Sequence, residues 1–350
     1  MQKKREYLLF FPVSFFLIFA VIRLINPLQF WVDELFHVFA AISVLENGQP
    51  MLPSGIPYER SFPTTLLVAG SFKILGISEI SARLPFMIIG IFSIIASYYL
   101  VREVFDHDSA ILTAFLLSFS PLQIHWSLNA RMYVVLQFLY VLFLFILHRL
   151  FQESLNANVK KKQKQKRIVL VLFSLVLIML LSSFVHQFYL LFLVTALTLL
   201  TFLVQRKQII EEKILEEKNI LIFFIIIVSA TMLIVRLTIQ DIPFLPSFAP
   251  IGMQVGTLYY FILLARYFTI LSIFAFLSFV IFSRKNSYNP LIIIAFFVPF
   301  IILTLFLDAK NSRYLFFAFP LFVALASNGI IETWKSVHNY EKESYRNICS

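Results

Sequence analysis

Long apolar runs recur along this chain and constrain its fold more than any other feature. Stretches of about 18 or more predominantly apolar residues follow one another along most of the 350 residues, and as a helix each can cross a hydrocarbon core about 30 Å thick. Hydrophobic residues make up 60% of the chain and charged residues 14%, which leaves too little polar surface for a soluble protein of this size. The sequence therefore predicts an all-α polytopic membrane protein.

Ten transmembrane helices are predicted from these runs. They lie near 8–25, 84–102, 109–126, 131–150, 168–185, 187–204, 220–238, 257–282, 290–307 and 314–331. The basic residues then fall in the loops that the positive-inside rule assigns to the cytoplasm, among them the run KKKQKQKR at 160–167. This placement accounts for the net charge of +10 without a nucleic-acid partner. We predict a transmembrane domain over 1–331 and a cytoplasmic tail over 332–350, in the plasma (inner) membrane.

The loop at 26–83, between the first two predicted spans, lies on the outer side and is predicted to hold two amphipathic juxtamembrane helices. The segment FPTTLLVAGSFKIL at 62–75 is apolar but only 14 residues long, and it contains Lys73. Counting it as a span would move KKKQKQKR to the outside, so we interpret it as a helix on the membrane surface. Ser61 is the predicted N-cap of that helix, and Gly76 is its predicted end.

The other surface helix is predicted in WVDELFHVFAAISVLENG, at 31–48. Apolar residues at helical spacing form one side of it: Leu35, Val38, Phe39, Ile42 and Leu45. Asp33 and His37 lie on the opposite side, and Gly48 ends the helix. Because Glu34 follows Asp33, two adjacent carboxylates start a helix at the edge of the membrane.

These two carboxylates have an ordinary explanation and a functional one. Acidic side chains at a helix N-terminus are stabilised by the helix dipole, and acids in loops are usually solvated. However, ionisable residues kept at membrane depth are costly, which makes them candidates for function. Basic side chains also collect on the predicted outer side: Arg60, Arg83, His125, Arg131, His186, Arg236 and Arg313. An acid with convergent cations at one membrane face is what a site for a lipid-linked phosphate requires.

Four motifs follow one another along the chain: WVDELFH at 31–37, SEISARLPFMIIGIFSIIASYYLVREVF at 78–105, AFLLSFSPLQIHWSLNARMYVVLQF at 114–138 and KNSRYLFFAFPL at 310–321. In this order they resemble the GT-C glycosyltransferases, and most nearly the branch that holds the protein O-mannosyltransferases and lipid A aminoarabinose transferase. The resemblance extends over about 7–331. It implies the GT-C fold, an acidic pair and two juxtamembrane helices in the first outer loop, and a polyprenyl-phosphate sugar donor.

The resemblance also implies a reaction, in which a hexose or pentose passes from the lipid-linked donor to a lipid, glycan or protein acceptor on the extracytoplasmic face. Asp33 stands where the family has the first acid of its pair, so it is the predicted general base, and a single displacement inverts the anomeric centre. Glu34 is predicted to orient the acceptor or Asp33 itself. Alternatively, Asp33 and His37 bind a divalent metal, although some GT-C branches need none.

The candidates for contact with the donor lie in other segments. Arg131 in NARMY and Arg313 in NSRYL are the first choices for the phosphate, because a guanidinium can bind phosphate through two hydrogen bonds. The predicted substrate contacts are completed by Arg60, His37, His186 and Tyr133. Each residue type also has a structural interpretation, since arginines at span ends snorkel to headgroups and tyrosines form an interfacial belt. Arg83 is expected mainly to anchor the second span.

Two other functional classes fit the same sequence. A transporter or flippase of a lipid-linked sugar would carry charges within its spans, and Arg266 is the main ionisable residue in such a position. A non-catalytic scaffold of a glycan assembly complex would not depend on Asp33. The predicted outer loop at 239–256 contains Asp241, for which a solvated position is expected. The collection of ionisable groups at one membrane face favours an enzyme at the interface over a transporter.

Overall fold

The computed structural model describes residues 2–26, 29–155, 161–205, 258–284, 290–307 and 310–349. Helices account for most of these residues, and the only β-pairing within the described ranges is an isolated bridge between Met51 and Pro57. The prediction of an all-α protein is confirmed. The predicted span at 220–238 and the predicted outer loop with Asp241 lie outside the described residues.

The described residues form fourteen α-helices, numbered in chain order. They are α1 Phe10–Ile25, α2 Val32–Asn47, α3 Phe62–Leu75, α4 Glu79–Val104, α5 His107–Phe119, α6 Pro121–Ser127, α7 Tyr133–Leu155, α8 Lys161–Val185, α9 Tyr189–Gln205, α10 Tyr259–Tyr267, α11 Thr269–Arg284, α12 Leu291–Phe306, α13 Ser312–Leu315 and α14 Phe319–Cys349. Two 3-10 segments accompany them, Gln2–Leu9 before α1 and Phe316–Ala318 between α13 and α14.

Five helical stretches in the described residues are long and apolar enough to cross a membrane. They are Glu6–Ile25, Glu79–Val104, Tyr133–Gln152, Gln165–Val185 and Ser312–His338. A sixth candidate is the pair α10 and α11, which bend by 110° at their junction. The polytopic membrane architecture is confirmed, and the count of ten spans stays a prediction because α5, α9 and α12 are shorter apolar helices.

The predicted span at 109–126 is divided into α5 and α6. Pro121 begins α6, and a proline disfavours helical geometry at the residue before it and lacks the N–H that would continue a helix. Ser120, the residue before it, has extended backbone angles, and its side chain accepts a hydrogen bond from the amide of Gln123 at 3.4 Å. The chain therefore turns at Ser120, and α6 ends close to the region around Asp33.

The two juxtamembrane helices occur where the sequence predicts them. Helix α2 ends at Asn47, and Gly48 follows in the left-handed conformation that favours glycine (φ 74°). Helix α3 spans Phe62–Leu75 and is followed by Gly76. Ser61 precedes α3 as predicted, but its hydroxyl bonds the Thr64 hydroxyl at 2.7 Å instead of capping a backbone amide.

Helix α2 turns its polar side toward the protein. Glu34, His37 and Ala41 are buried. On the predicted apolar side Val38 is buried as well, whereas Phe39 and Leu45 are each 40% exposed. The buried side packs against α3, which in turn packs against α4. An interfacial helix can leave apolar side chains to the lipid in this way, and here the arrangement directs the acids of α2 into the helix bundle.

Candidate active site

Asp33 is the point at which three distant segments of the chain meet. Its Oδ2 accepts a hydrogen bond from Arg313 Nη1 at 2.7 Å and lies 3.4 Å from Arg131 Nη2. Arg131 Nη1 also donates to the main-chain oxygen of Asp33 at 2.6 Å. The side chain of Asp33 stays 28% exposed, so a molecule arriving at the site can reach the carboxylate.

The two arginines are held by short breaks between helices. Arg131 lies between α6 and α7, and its side chain is only 3% exposed. Arg313 lies in α13, where the side chain of Asn311 accepts a hydrogen bond from the Arg313 amide at 3.1 Å. The Arg313 guanidinium also faces three aromatic rings, those of Trp31 at 5.3 Å, Tyr314 at 5.1 Å and Tyr133 at 5.8 Å. These rings favour a cation at this position.

Several buried polar atoms of this cluster have no hydrogen-bond partner among the described residues. They are Arg131 Nε, Arg313 Nε, the Tyr133 hydroxyl and His37 Nε2. A buried donor without a partner costs free energy, and native proteins retain very few of them without a reason. Two of these atoms belong to the arginines at Asp33, so an anionic ligand at this carboxylate would find N–H donors from which to accept hydrogen bonds.

Glu34 has a different environment from its neighbour. Its Oε1 accepts hydrogen bonds from Arg83 Nε at 3.0 Å and the Ala130 amide at 2.9 Å. Its Oε2 accepts from Arg83 Nη2 at 2.8 Å and the Trp31 amide at 3.0 Å. The Glu34 side chain is 1% exposed, and all four contacts are internal. The carboxylate thus fixes the start of α2 and the residue next to Arg131, while Arg83, which was expected mainly to anchor a span, is its counter-ion.

His37 is fully buried one turn after Asp33. Its Nδ1 lies 3.0 Å from Thr65 Oγ1 on α3, and its ring meets the Tyr58 ring edge-on at 5.1 Å. Burial first, and then the positive charges of Arg131 and Arg60, lower the pKa of His37 to about 3. His37 is therefore a neutral imidazole at physiological pH. Burial likewise raises the pKa of the Tyr58 phenol beside it.

His186 lies between α8 and α9 in the same electrostatic field. Its Nδ1 accepts a hydrogen bond from the Phe188 amide at 3.2 Å, so the proton of the neutral ring sits on Nε2. The pKa of His186 is lowered to about 3 by burial first and then by Arg60, Arg131 and Arg313. Three arginine charges thus act on one histidine, which shows that Arg60 belongs to the same neighbourhood although its side chain is exposed.

Acidification is expected to destabilise the protein through these two histidines. Their folded pKa of about 3 lies below the ordinary 6.5, so between those values the unfolded chain binds protons that the folded chain does not. The free energy of unfolding should therefore decrease as the pH falls below about 6.5, by about 1.4 kcal/mol per pH unit for each histidine. Thermal unfolding in detergent, followed between about pH 7.5 and about pH 5, measures this dependence.

The variant His37→Asn should weaken that pH dependence, because it removes one of the buried histidines that cause it. The same substitution at His338, which is exposed on α14, is the matched control and should leave the dependence unchanged. Equal pH dependence in wild type and His37→Asn would contradict the assignment of a neutral, buried His37.

The metal site considered for Asp33 and His37 does not fit the side chains around them. The described residues contain no group of three or more His, Cys, Asp or Glu side chains that could hold a metal ion. The Asp33 carboxylate faces two guanidinium groups, and His37 Nδ1 faces Thr65. Cations around a carboxylate disfavour a second cation there, so we assign no step to a metal.

Two other sequence candidates lie apart from this cluster, and a third falls outside the described residues. His125 is exposed on α6, with its ring against Trp126 at 4.9 Å. Arg266 is exposed at the end of α10, next to the bend, rather than buried within a span. Arg236 lies outside the described residues. The residues that converge are therefore Asp33, Arg131, Arg313, Tyr133, His37 and His186, with Arg60 nearby.

A protein-family model matches half of this chain. The model of the family described as dolichyl-phosphate-mannose-protein mannosyltransferase matches residues 60–234, which is 175 of the 350 residues and therefore half of the chain. The chain belongs to this family. The matched region includes Arg60, Arg131, Tyr133 and His186, and the predicted resemblance to the GT-C glycosyltransferases is confirmed. No curated protein matches the chain.

Solved structures show the same fold at low sequence identity. The structure of ArnT from Cupriavidus metallidurans bound to undecaprenyl phosphate has a TM-score of 0.63 and 14% identity, and the match covers 91% of this chain and 59% of that one. The Archaeoglobus fulgidus oligosaccharyltransferase tethered to an acceptor peptide has a TM-score of 0.62 and 13% identity, covering 97% of this chain and 51% of that one. This chain thus spans between half and three fifths of their length, and the likeness establishes the GT-C fold.

Proposed function

We propose that this protein is a membrane glycosyltransferase that moves a hexose or pentose from a polyprenyl-phosphate donor to a lipid, glycan or protein acceptor on the extracytoplasmic face. The observation that carries the proposal is the cluster at Asp33: one reachable carboxylate held by two arginines, with buried donors that lack a partner. Membership of the mannosyltransferase family supports it.

Arg131 and Arg313 bind the donor phosphate in this proposal. Each guanidinium has an unpaired Nε beside the nitrogens that now hold Asp33, so each can offer a second hydrogen bond to a phosphate oxygen. The related ArnT structure contains undecaprenyl phosphate, a ligand of the same chemical class. The two positive charges stabilise the negative charge that the phosphate gains as it leaves the sugar.

Asp33 is the general base. It takes the proton from the acceptor hydroxyl or amide, whose freed electron pair attacks the anomeric carbon of the sugar. The bond from that carbon to the phosphate oxygen breaks, and its electron pair leaves with the polyprenyl phosphate. One displacement of this kind inverts the anomeric centre, and the Asp33 carboxylate is regenerated when the proton it accepted passes to water. Glu34 and Arg83 keep α2 and the segment before Arg131 in place, which makes Glu34 a positioning residue.

Donor binding changes the partners of Asp33. In the structure Asp33 Oδ2 accepts a hydrogen bond from Arg313, so this oxygen is directed to an arginine that the phosphate needs rather than to an acceptor. The phosphate competes with Asp33 for the two arginines and releases the carboxylate when it binds. Donor therefore binds before the acceptor is activated, which limits loss of the sugar to water.

The variant Asp33→Asn is consequently expected to bind undecaprenyl phosphate more tightly than wild type, by about threefold to tenfold, because an amide competes weakly for guanidinium groups. Arg313→Gln should bind it at least about tenfold more weakly. Titration of the lipid phosphate into protein in nanodiscs measures both dissociation constants. Weaker binding by Asp33→Asn than by wild type would contradict the competition.

The transferase proposal is tested with wild type in vesicles, a panel of polyprenyl-phosphate sugars and an extract of acceptors. Mass spectrometry follows free polyprenyl phosphate with and without the extract. We expect release with one donor class, dependent on acceptor and lost in Arg313→Gln. Movement of an intact donor between leaflets without release would favour the flippase, and neither release nor movement in any mixture would favour the scaffold.

A further inference from the structure

A network of buried amides joins the two segments that carry the arginines. Gln137 on α7 and Gln123 on α6 have no exposed surface, and their side-chain amides pair with each other in both directions, at 3.0 Å and 2.9 Å. The Ser93 hydroxyl on α4 also donates to Gln137 Oε1, at 2.7 Å. Polar side chains this deep in a membrane protein are costly and mark a function when they persist.

The network reaches the backbone beside Arg313. Gln137 Nε2 donates to the main-chain oxygen of Phe316 at 3.0 Å. In a continuous α-helix that oxygen would accept from residue 320, but residue 320 is proline and has no N–H. Phe316 instead begins the 3-10 segment Phe316–Ala318, in which its oxygen accepts from the Phe319 amide. Gln137 supplies the second donor that the proline removes.

The 3-10 segment is the joint between α13, which carries Arg313, and the long helix α14. Its geometry decides where Arg313 stands relative to the bundle. On the other side of the network, Gln123 belongs to α6, and the Gln123 amide also donates to Ser127 Oγ at 3.2 Å near the end of that helix. Arg131 follows four residues after Ser127, in the break before α7.

We infer that Gln137, paired with Gln123, is a positioning residue that sets the separation of Arg131 and Arg313. It acts through the Phe316 carbonyl on one side and through α6 on the other, and both arginines meet at the Asp33 carboxylate. The inference rests on the proposed function, in which the two arginines together bind a lipid-linked phosphate. It adds a residue at some distance from the substrate to that site.

The test replaces Gln137 with methionine, which has a similar length and shape but no hydrogen-bonding amide. The matched control is Tyr140→Phe on the same helix, because the buried Tyr140 hydroxyl also donates to a main-chain oxygen of another helix, that of Ala295 at 2.7 Å. Each variant loses a buried hydrogen bond from α7 to a carbonyl. The Tyr140 ring also contacts Phe317 of the 3-10 segment at 5.0 Å, but phenylalanine keeps that ring contact, so Tyr140→Phe removes only the hydroxyl. Gln137→Met removes the hydrogen bond to the Phe316 carbonyl itself.

The readouts are the dissociation constant for undecaprenyl phosphate in nanodiscs and the thermal unfolding midpoint. We expect Gln137→Met to bind about fivefold to tenfold more weakly than wild type, and Tyr140→Phe to bind as wild type, although both unfold at lower temperature. Gln137→Met leaves the Gln123 amide without its partner. The double variant Gln123→Met with Gln137→Met removes that amide as well, so its unfolding midpoint should recover in part while its weak binding of undecaprenyl phosphate persists.

The outcomes separate this inference from the proposal on which it rests. If Arg313→Gln weakens binding but Gln137→Met binds as wild type, the inference is overturned and the phosphate site stands. Equal weakening in Gln137→Met and Tyr140→Phe would also overturn it, because a general loss of stability would then be the cause. If wild type does not bind the lipid phosphate, or Arg313→Gln binds as wild type, the proposed function fails and the inference fails with it.

Discussion

Asp33→Asn is expected to lower the rate constant of sugar transfer by about two to four orders of magnitude, the range that loss of a general base produces. Asparagine has the size of aspartate and can still accept a hydrogen bond from Arg313, but it cannot take a proton from the acceptor. The fold should persist, because asparagine keeps the main-chain oxygen to which Arg131 donates and a side-chain oxygen for Arg313, so both guanidinium groups retain hydrogen bonds to this residue. Transfer is measured under single-turnover conditions, with the thermal unfolding midpoint measured beside it.

The matched control for this substitution is Asp106→Asn. Asp106 also begins a helix, accepting from the Ser109 amide at 2.7 Å, and it also pairs with a cation, Lys335 at 2.6 Å. Asp106 precedes α5, whereas the arginine cluster is built from α2, α13 and the break before α7. We expect transfer by Asp106→Asn at the wild-type rate. Equal loss in the two variants would show that the effect of Asp33→Asn is structural.

Arg83→Met is expected to cause a large loss of stability. Glu34 is buried at 1% exposure, and Arg83 supplies two of its four hydrogen bonds and its neutralising charge. Removing one partner of a buried ion pair leaves an uncompensated charge, at a cost of about 3–5 kcal/mol. The double variant with Glu34→Gln as well should be less destabilised than Arg83→Met alone, because no buried charge then remains.

The control for the effect of burial is Arg102→Met, which removes one partner of a more exposed ion pair. Arg102 pairs with Glu6 at 2.7 Å, but the two side chains are 30% and 47% exposed, so that loss should cost less than about 1 kcal/mol. The free energies of unfolding of Arg83→Met, the double variant and Arg102→Met are measured in mixed detergent micelles with increasing amounts of a denaturing detergent. A loss in Arg83→Met no greater than that in Arg102→Met would remove the structural role assigned to the Glu34–Arg83 pair.

The helices were largely predictable because local patterns determine them. Helix α3 covers the predicted 62–75, and Gly48 and Gly76 follow their helices as their conformational freedom suggests. The division between α5 and α6 was also readable, since Pro121 stands within the predicted span at 109–126. No helix-breaking residue predicts the bend between α10 and α11, because residues 267–269 contain neither proline nor glycine.

The site was predictable in its residue types but not in its pairings. Apolar runs and topology placed Asp33, Arg131 and Arg313 on one side of the membrane, but the contacts of Asp33 join residues 98 and 280 positions apart. Such contacts depend on how helices pack, which no local pattern records. For the same reason the sequence did not reveal the inward orientation of Glu34, its pairing with Arg83, or the amide pair of Gln123 and Gln137.

The most direct test of the central claim is the release of free polyprenyl phosphate by wild type and Asp33→Asn, in the same vesicles with the same donor and acceptor. We predict release by wild type that depends on acceptor, and a rate lower by about two to four orders of magnitude in a variant that still binds undecaprenyl phosphate. Equal release by both proteins would contradict the assignment of Asp33 as the base at the centre of this site.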